Sequence, residues 1–151
     1  MAIATATLTV TITESLTLNG ANVGGTNTLT VNTVNDFYKR IITVPTSEIV
    51  AWTTHDTDIA GSQFDDDLVK YARITNKGSN NVIVRVKNAD NDELAYKLGP
   101  GESFLLHGHE ATMNAVDAAT LDIGTGWHDI TSVKLTAPDG ACDCELFIAS
   151  I

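Results

Sequence analysis

The regular alternation of apolar and polar residues is the main pattern along this chain. In Ala4–Ser15, the side chains of Leu8, Val10 and Ile12 fall on one face and those of threonines on the other, as in a half-buried β-strand. Similar alternation or short apolar runs predict strands at Thr28–Val34, Phe37–Val44, Ser47–Thr53, Leu68–Thr75, Val82–Lys87, Glu93–Leu98, Ser103–His107, Ile130–Thr136 and Cys144–Ala149. Turn-forming residues separate these segments at intervals of about 8–12 residues. We therefore predict an all-β chain, with residues 1–151 forming a single-domain β-sandwich, jelly-roll-like or Ig-like, of about nine to ten short strands.

Two segments depart from this pattern. Residues 55–67 are polar and hold five of the thirteen aspartates, so we expect a surface loop there, with a helical turn as the alternative. Residues 111–119 are rich in alanine and would tolerate a short helix.

Composition and charge agree with a β-rich chain and exclude some partners. The chain has 151 residues with a formal net charge of −10, a charge that repels nucleic acids and anionic membranes. No apolar run approaches the roughly 20 residues of a membrane-spanning helix. The first residues lack the charged and apolar regions of a signal peptide, and we expect none.

The segment from Gly101 to Glu110 is the strongest candidate for a metal site. It partly resembles the first metal motif of the cupins, in which a glycine precedes His-x-His and a glutamate follows. His107 and His109 would project to one face of a strand and could share a metal ion with Glu110. However, Glu110 follows His109 directly, which puts it on the opposite face of a continuing strand, and the second cupin motif is absent. We therefore favour two histidines at a strand end or in a loop, with no metal or other cofactor bound.

Three further groups of residues have weaker signals. Cys142 and Cys144 could complete a zinc site with the two histidines, but small buried thiols are the more common arrangement. Trp52 and Trp127 could stack on a sugar ring, although such residues more often lie in a core or an interface. The aspartates of the acidic loop could bind calcium, but a solvated loop is the default interpretation: Asp56, Asp58, Asp65, Asp66 and Asp67. We find no motif for nucleophilic catalysis or phosphate binding, and we predict no catalytic residues and no enzyme activity.

Parts of the chain resemble a known class of proteins. The segments Lys70–Asn76, Val82–Val86 and Lys97–Leu106 contain Tyr-x-Arg-Ile-Thr-Asn, an alternating strand and Pro-Gly-Glu-Ser-Phe. These segments, together with Arg40–Thr46 and the threonine-rich start, resemble small β-rich virion structural proteins of marine tailed phages. The resemblance spans about two thirds of the chain and has no catalytic fingerprint. It implies a structural role on a phage particle, in the capsid, the tail or a fibre.

The resulting expectation is a non-enzymatic virion protein at the particle surface. We expect a capsid decoration or cement protein that forms a homo-oligomer and contacts the major capsid or other virion proteins. Residues 1–15 would form an interface strand or arm through Leu8, Val10 and Ile12, unless that face packs on the core of its own domain. The alternatives are a tail- or fibre-associated module that binds carbohydrate or host through Trp52 and Trp127, and a small cupin-like metalloprotein.

Overall fold

The computed structural model describes residues 4–55, 64–65, 67–111 and 128–151, and these residues fold as β-structure. They contain ten strands of four or more residues and four strands of two residues, with no helix among them. The strands are β1 (Ala6–Thr13), β2 (Thr17–Leu18), β3 (Ala21–Asn22), β4 (Thr26–Val34), β5 (Asp36–Val44), β6 (Ile49–His55), β7 (Phe64–Asp65), β8 (Val69–Asn76), β9 (Val82–Asn88), β10 (Glu93–Leu98), β11 (Ser103–Leu106), β12 (Glu110–Ala111), β13 (His128–Thr136) and β14 (Cys142–Ser150). The predicted all-β class is confirmed.

Eight of the long strands form two antiparallel sheets. Sheet I has the order β10-β9-β13-β6, extended by the parallel pairing of β7 with β6, while β12 pairs with β13. Sheet II has the order β11-β8-β14-β5. The pairs are nested: β5 pairs with β14, β6 with β13, β8 with β11 and β9 with β10. This is the order of an eight-stranded jelly roll, the first of the two predicted alternatives.

The core lies between the facing sides of the two sheets, and the alternation of the strands explains it. In β9, Val82, Val84 and Val86 are buried while Arg85 and Lys87 point away from the core. The inner cluster consists of Ile42, Val44, Trp52, Val69, Ala72, Ile74, Val82, Val84, Val86, Leu98, Ile130, Val133, Leu135, Ala137, Cys142, Cys144, Leu146 and Ile148. Its members come from both sheets, so their burial joins the sheets into a sandwich.

A buried asparagine organises the turn between β8 and β9. The Asn76 side chain donates to the carbonyls of Asn80 (2.8 Å) and Leu98 (3.2 Å) and accepts from the amide of Gly78 (3.0 Å). The thiol of Cys142 lies 3.0 Å from the Asn76 side-chain oxygen. A fully buried amide group is thus satisfied by several partners, which holds the turn against β14.

The first four strands form a long hairpin, here called the N-terminal hairpin (residues 6–34). β1 pairs with β4, and β2 pairs with β3 around a tight turn in which Asn19 and Gly20 have positive φ values of 51° and 81°. Asn-Gly is the residue pair that favours this hairpin turn. One face of the hairpin packs against the outer face of sheet II, the side that points away from the core.

A second apolar cluster forms at that contact, and we call it the outer cluster. Its buried members are Val34, Tyr71 and Ala149, and Leu8, Val10, Leu29, Val31, Leu105 and Phe147 are partly buried around them. Burial raises the pKa of the Tyr71 hydroxyl, with a smaller opposing effect of the nearby Arg73. No helix in the described parts of the chain is long and apolar enough to span a membrane.

Candidate contact surface and histidine cluster

The residues predicted to form an interface strand lie on β1. Two of them are half-buried and the third is exposed. Leu8 and Val10 are half-buried and pack against the outer cluster of the same chain. Ile12 lies beyond this contact, and its side chain is 38% exposed. The face of β1 therefore partly packs on its own chain, the alternative left open by the sequence, and only its distal end is free for another molecule.

The tip of the hairpin carries the exposed apolar side chains that the sequence analysis did not single out. Leu16, Leu18 and Val23, here called the tip residues, are 56%, 58% and 58% exposed. The tip has defined backbone geometry, because the amide of Val23 donates to Leu16 (2.8 Å) and the amide of Glu14 donates to Gly25 (2.8 Å). Three apolar side chains on an ordered turn form a surface that is suited to docking against another apolar surface.

Two strand edges add to this surface. Within the described residues, β1 pairs only with β4, and β5 pairs only with β14. On β5, Phe37 and Ile41 are 68% and 61% exposed and lie on the outer face of sheet II, opposite Ala149 and Glu145 in the register. Open edges flanked by apolar side chains are sites where a neighbouring molecule can add a strand.

The outer face of sheet I has a different character. Arg85 pairs with Glu48 at 2.8 Å and with Glu93 at 3.6 Å, and Lys134 pairs with Glu48 at 3.2 Å. These side chains are all partly exposed, so the ion pairs contribute little to stability. This face is mainly charged, although Val50 is 56% exposed on it, and the edge strand β10 of sheet I exposes Leu94 (45%) and Tyr96 (49%). The largest exposed fractions among the described apolar side chains are those of Phe37 and Ile41 on sheet II, followed by Leu18 and Val23 at the hairpin tip.

The candidate metal ligands His107, His109 and Glu110 do not converge on one point. The His107 ring stacks on the Tyr71 ring, with centroids 5.7 Å apart and planes 21° apart, at the border of the outer cluster. Glu110 is exposed in β12. His109 is half-buried, with its ring nitrogen turned toward two aspartates, so the predicted trio is replaced by a different group.

That group consists of Asp67, His109 and Asp129, and we call it the histidine cluster. The Nε2 atom of His109 lies 3.6 Å from Oδ1 of Asp67 and 3.8 Å from Oδ1 of Asp129. One ligand atom from each of the three residues lies within 4.8 Å of the others. An open pocket of about 290 Å³ adjoins the cluster and is lined by residues 107–110.

Backbone pairing explains how distant residues meet in the histidine cluster. The amide of Ile130 donates to the carbonyl of His109 at 2.7 Å, and Glu110 pairs with Asp129 in the β12–β13 ladder. Asp67 occupies the turn before β8, where its backbone carbonyl accepts a hydrogen bond from Lys70 Nζ at 2.6 Å. The sequence pointed to Asp67 only as one of five loop aspartates and gave no signal for Asp129, because the β12–β13 pairing is long-range.

The two cysteines do not form a zinc site with the histidines. Cys142 and Cys144 are free thiols buried in the inner cluster, and neither belongs to the histidine cluster. Burial, with smaller contributions from Cys142 and Asp143, raises the pKa of the Cys144 thiol to about 12. The structure thus matches the alternative of small buried thiols.

The remaining candidate residues fall into two groups. Trp52 is 5% exposed and packs in the inner cluster, so a ligand at the surface cannot stack on its ring. Part of the acidic segment forms β7, in which Asp65 is exposed. The candidates Trp127, Asp56, Asp58 and Asp66 lie outside the described residues. The short helix considered for residues 111–119 is wrong at Ala111, which pairs with His128 in the β12–β13 ladder, and residues 112–119 lie outside the described residues.

Comparison of the chain with protein-family models, with curated proteins and with solved structures gives no match.

Proposed function

We propose that this protein is a non-enzymatic structural protein of a phage particle, most specifically a decoration or cement protein that stabilises the capsid. It acts as a homo-oligomer at the particle surface and contacts the major capsid protein or another virion protein. The observation that carries the proposal is the N-terminal hairpin, whose ordered tip exposes three apolar side chains. The resemblance of Lys70–Asn76 and Lys97–Leu106 to virion proteins supports the same conclusion.

The architecture of the hairpin supports a contact role. Leu8 and Val10 fasten the base of the hairpin to sheet II through the outer cluster, while the tip residues have no cover among the described residues. A hairpin anchored in this way is preorganised, so binding through its tip costs less conformational entropy than binding through a loose segment.

The charge of the chain supports a protein that stays in solution until it assembles. A net charge of −10 keeps separate copies apart, and the apolar tip and edge residues supply the local attraction to a specific partner. Jelly rolls occur in capsid proteins, lectins and cupins, so the fold alone does not select among these functions.

The first experiment tests the tip. We would prepare phage particles that lack this protein and add back either the wild type or the variant Leu16→Ser/Leu18→Ser/Val23→Ser. The wild type should bind and raise the temperature at which the particles release DNA, whereas the triple variant should do neither. Val50→Ser is the matched control, because Val50 is 56% exposed on the charged face of sheet I and should not affect binding. Full activity of the triple variant would contradict the assignment of the tip.

The second experiment tests the location. Mass spectrometry of purified particles should detect the protein in hundreds of copies if it covers the shell. A few to dozens of copies would instead place it in the tail or a fibre, and its absence from the particles would contradict a virion role altogether.

A further inference from the structure

We propose that the histidine cluster binds one first-row divalent metal ion, with Zn²⁺ as the best match, and that the ion links sheet I to sheet II. The ligands are Nε2 of His109 and one carboxylate oxygen each from Asp67 and Asp129. This assignment is independent of the proposed function, because it rests on a different part of the molecule.

The distances in the histidine cluster fit a shared ion better than direct hydrogen bonds. The separations of 3.6 Å and 3.8 Å between His109 Nε2 and the two carboxylate oxygens exceed the usual length of an N–H···O bond. Ligand atoms bound to one Zn²⁺ at about 2.0–2.2 Å lie roughly 3.4 Å apart in a tetrahedral site. The two distances from His109 Nε2 are thus within a few tenths of an ångström of this value, and all three ligand atoms lie within 4.8 Å of one another.

The Oδ1 atom of Asp129 gives a second and independent reason. The Asp129 side chain is 35% exposed as a whole, but this oxygen is buried and accepts no hydrogen bond from any residue that the structure describes. A buried carboxylate oxygen without a donor is costly, and a cation at the centre of the histidine cluster would satisfy it. The same oxygen is the one that faces His109.

The donor set determines which ion fits. Two carboxylates and a neutral imidazole carry a charge of about −2, which balances a divalent cation. Zinc accepts imidazole nitrogen together with carboxylate oxygen, whereas calcium and magnesium prefer oxygen ligands alone. Three protein ligands would leave one position of a tetrahedral ion for water, and an open pocket lined by residues 107–110 adjoins the cluster.

The positions of the ligands indicate what the ion does. Asp67 precedes β8 of sheet II, Asp129 lies in β13 of sheet I, and His109 lies in the connection between β11 and β12. An ion held by all three fastens the two sheets to each other at one end of the sandwich. Because the unfolded chain does not hold these residues together, metal binding stabilises the folded state.

The test is calorimetric titration of metal-stripped full-length protein with ZnCl₂. We expect one ion per chain and a melting temperature that rises with zinc concentration. Asp129→Asn keeps the shape of the side chain and should weaken zinc binding at least tenfold, and His109→Ala should abolish it. His107→Ala is the matched control: it removes a histidine two residues away that stacks on Tyr71, and zinc binding should persist.

Two results would overturn the assignment. If wild-type protein binds no stoichiometric zinc, or if Asp129→Asn binds it as tightly as the wild type, the cluster is an ion pair only. If CaCl₂ binds with the same affinity as ZnCl₂ and Asp129→Asn weakens both equally, the cluster is not a site that selects a first-row metal through its histidine.

Discussion

The inner and outer clusters differ in how completely the chain covers them. The inner cluster has eighteen buried residues enclosed between two sheets, whereas the outer cluster has three, enclosed between one sheet and a two-stranded hairpin. Beyond the outer cluster, the same hairpin and the edge of sheet II expose apolar side chains to solvent. Burial in the inner cluster therefore supplies most of the folding stability. The outer cluster adjoins an exposed apolar surface that is suited to binding a partner.

This difference has a physical basis in the number of elements around each cluster. Every strand of the sandwich contributes one face to the inner cluster, so each apolar side chain has neighbours on all sides. The hairpin has only two strands, and a two-stranded ribbon cannot cover a whole sheet face. A partner that covers Phe37, Ile41 and the tip residues would remove the exposed apolar area of these five side chains from water.

The largest predicted effect concerns Leu146, which is fully buried in the inner cluster. Leu146→Ala should lower the free energy of unfolding by about 3 kcal/mol, because it removes buried methyl groups and leaves a cavity between the sheets. Urea denaturation monitored by circular dichroism measures this change. A loss below about 1 kcal/mol would mean that the inner cluster is not the main source of stability.

The neighbouring residue on the same strand provides a matched comparison. Phe147 points to the opposite face and is only partly buried in the outer cluster. Although phenylalanine is the larger side chain, Phe147→Ala should cost only about 1–2 kcal/mol in the same measurement, because water already reaches part of the ring. A larger loss for Phe147→Ala than for Leu146→Ala would reverse the ranking of the two clusters.

The pH dependence of the free energy of unfolding tests how well the inner cluster shields the Cys144 thiol from water. The pKa of the Cys144 thiol is about 12 in the folded protein and about 9 without burial. This raised pKa contributes stability that is fully present below pH 9 and is lost as the pH rises from 9 towards 12, because the unfolded chain releases the proton first. Denaturant titrations at pH 8 and pH 10 should therefore show a smaller loss of stability in Cys144→Ala than in the wild type.

The rate of thiol labelling measures directly how well the folded protein shields Cys144 from solvent. A thiol reagent at pH 8 should modify Cys144 only as fast as the protein opens, because both exposure and thiolate formation are suppressed in the folded state. Rapid labelling of the native protein would contradict a closed inner cluster.

The smallest effect on stability is expected at the hairpin tip. Leu18 is 58% exposed, so Leu18→Ser should change the free energy of unfolding by less than about 0.5 kcal/mol. A large destabilisation in urea titrations would show that the tip supports the fold of its own chain. Such a result would remove the distinction between a cluster used for folding and a surface available for contact.

The sequence predicted the local elements better than their arrangement. The alternation in Val82–Lys87 and the run Glu93–Leu98 correspond closely to β9 and β10, because period-two patterning depends only on neighbouring residues. The pairing of β5 with β14 joins residues about 100 positions apart, such as Thr43 and Asp143. No local pattern encodes that pairing, so the jelly roll could not be separated from an Ig-like sandwich in advance.

The candidate sites show the same limit. Periodicity placed Leu8, Val10 and Ile12 on one face but could not say that sheet II covers the first two. The His-x-His pattern drew attention to His109, yet its actual neighbours Asp67 and Asp129 come from other elements. Residues only three positions apart, such as His107 and Glu110, have different surroundings because the chain turns at Gly108, where φ is 120°.

The central position of β14 in sheet II has a consequence for biosynthesis. Of all the strands described, β14 leaves the ribosome last, yet it separates β8 from β5 and contributes four buried side chains to the inner cluster. Until Ser150 has been translated, β5 and β8 therefore lack the strand that pairs with both of them, and the inner cluster is incomplete. During that interval apolar side chains and strand edges that sheet II later covers are exposed, which is the condition under which partly synthesised β-domains are most prone to aggregate.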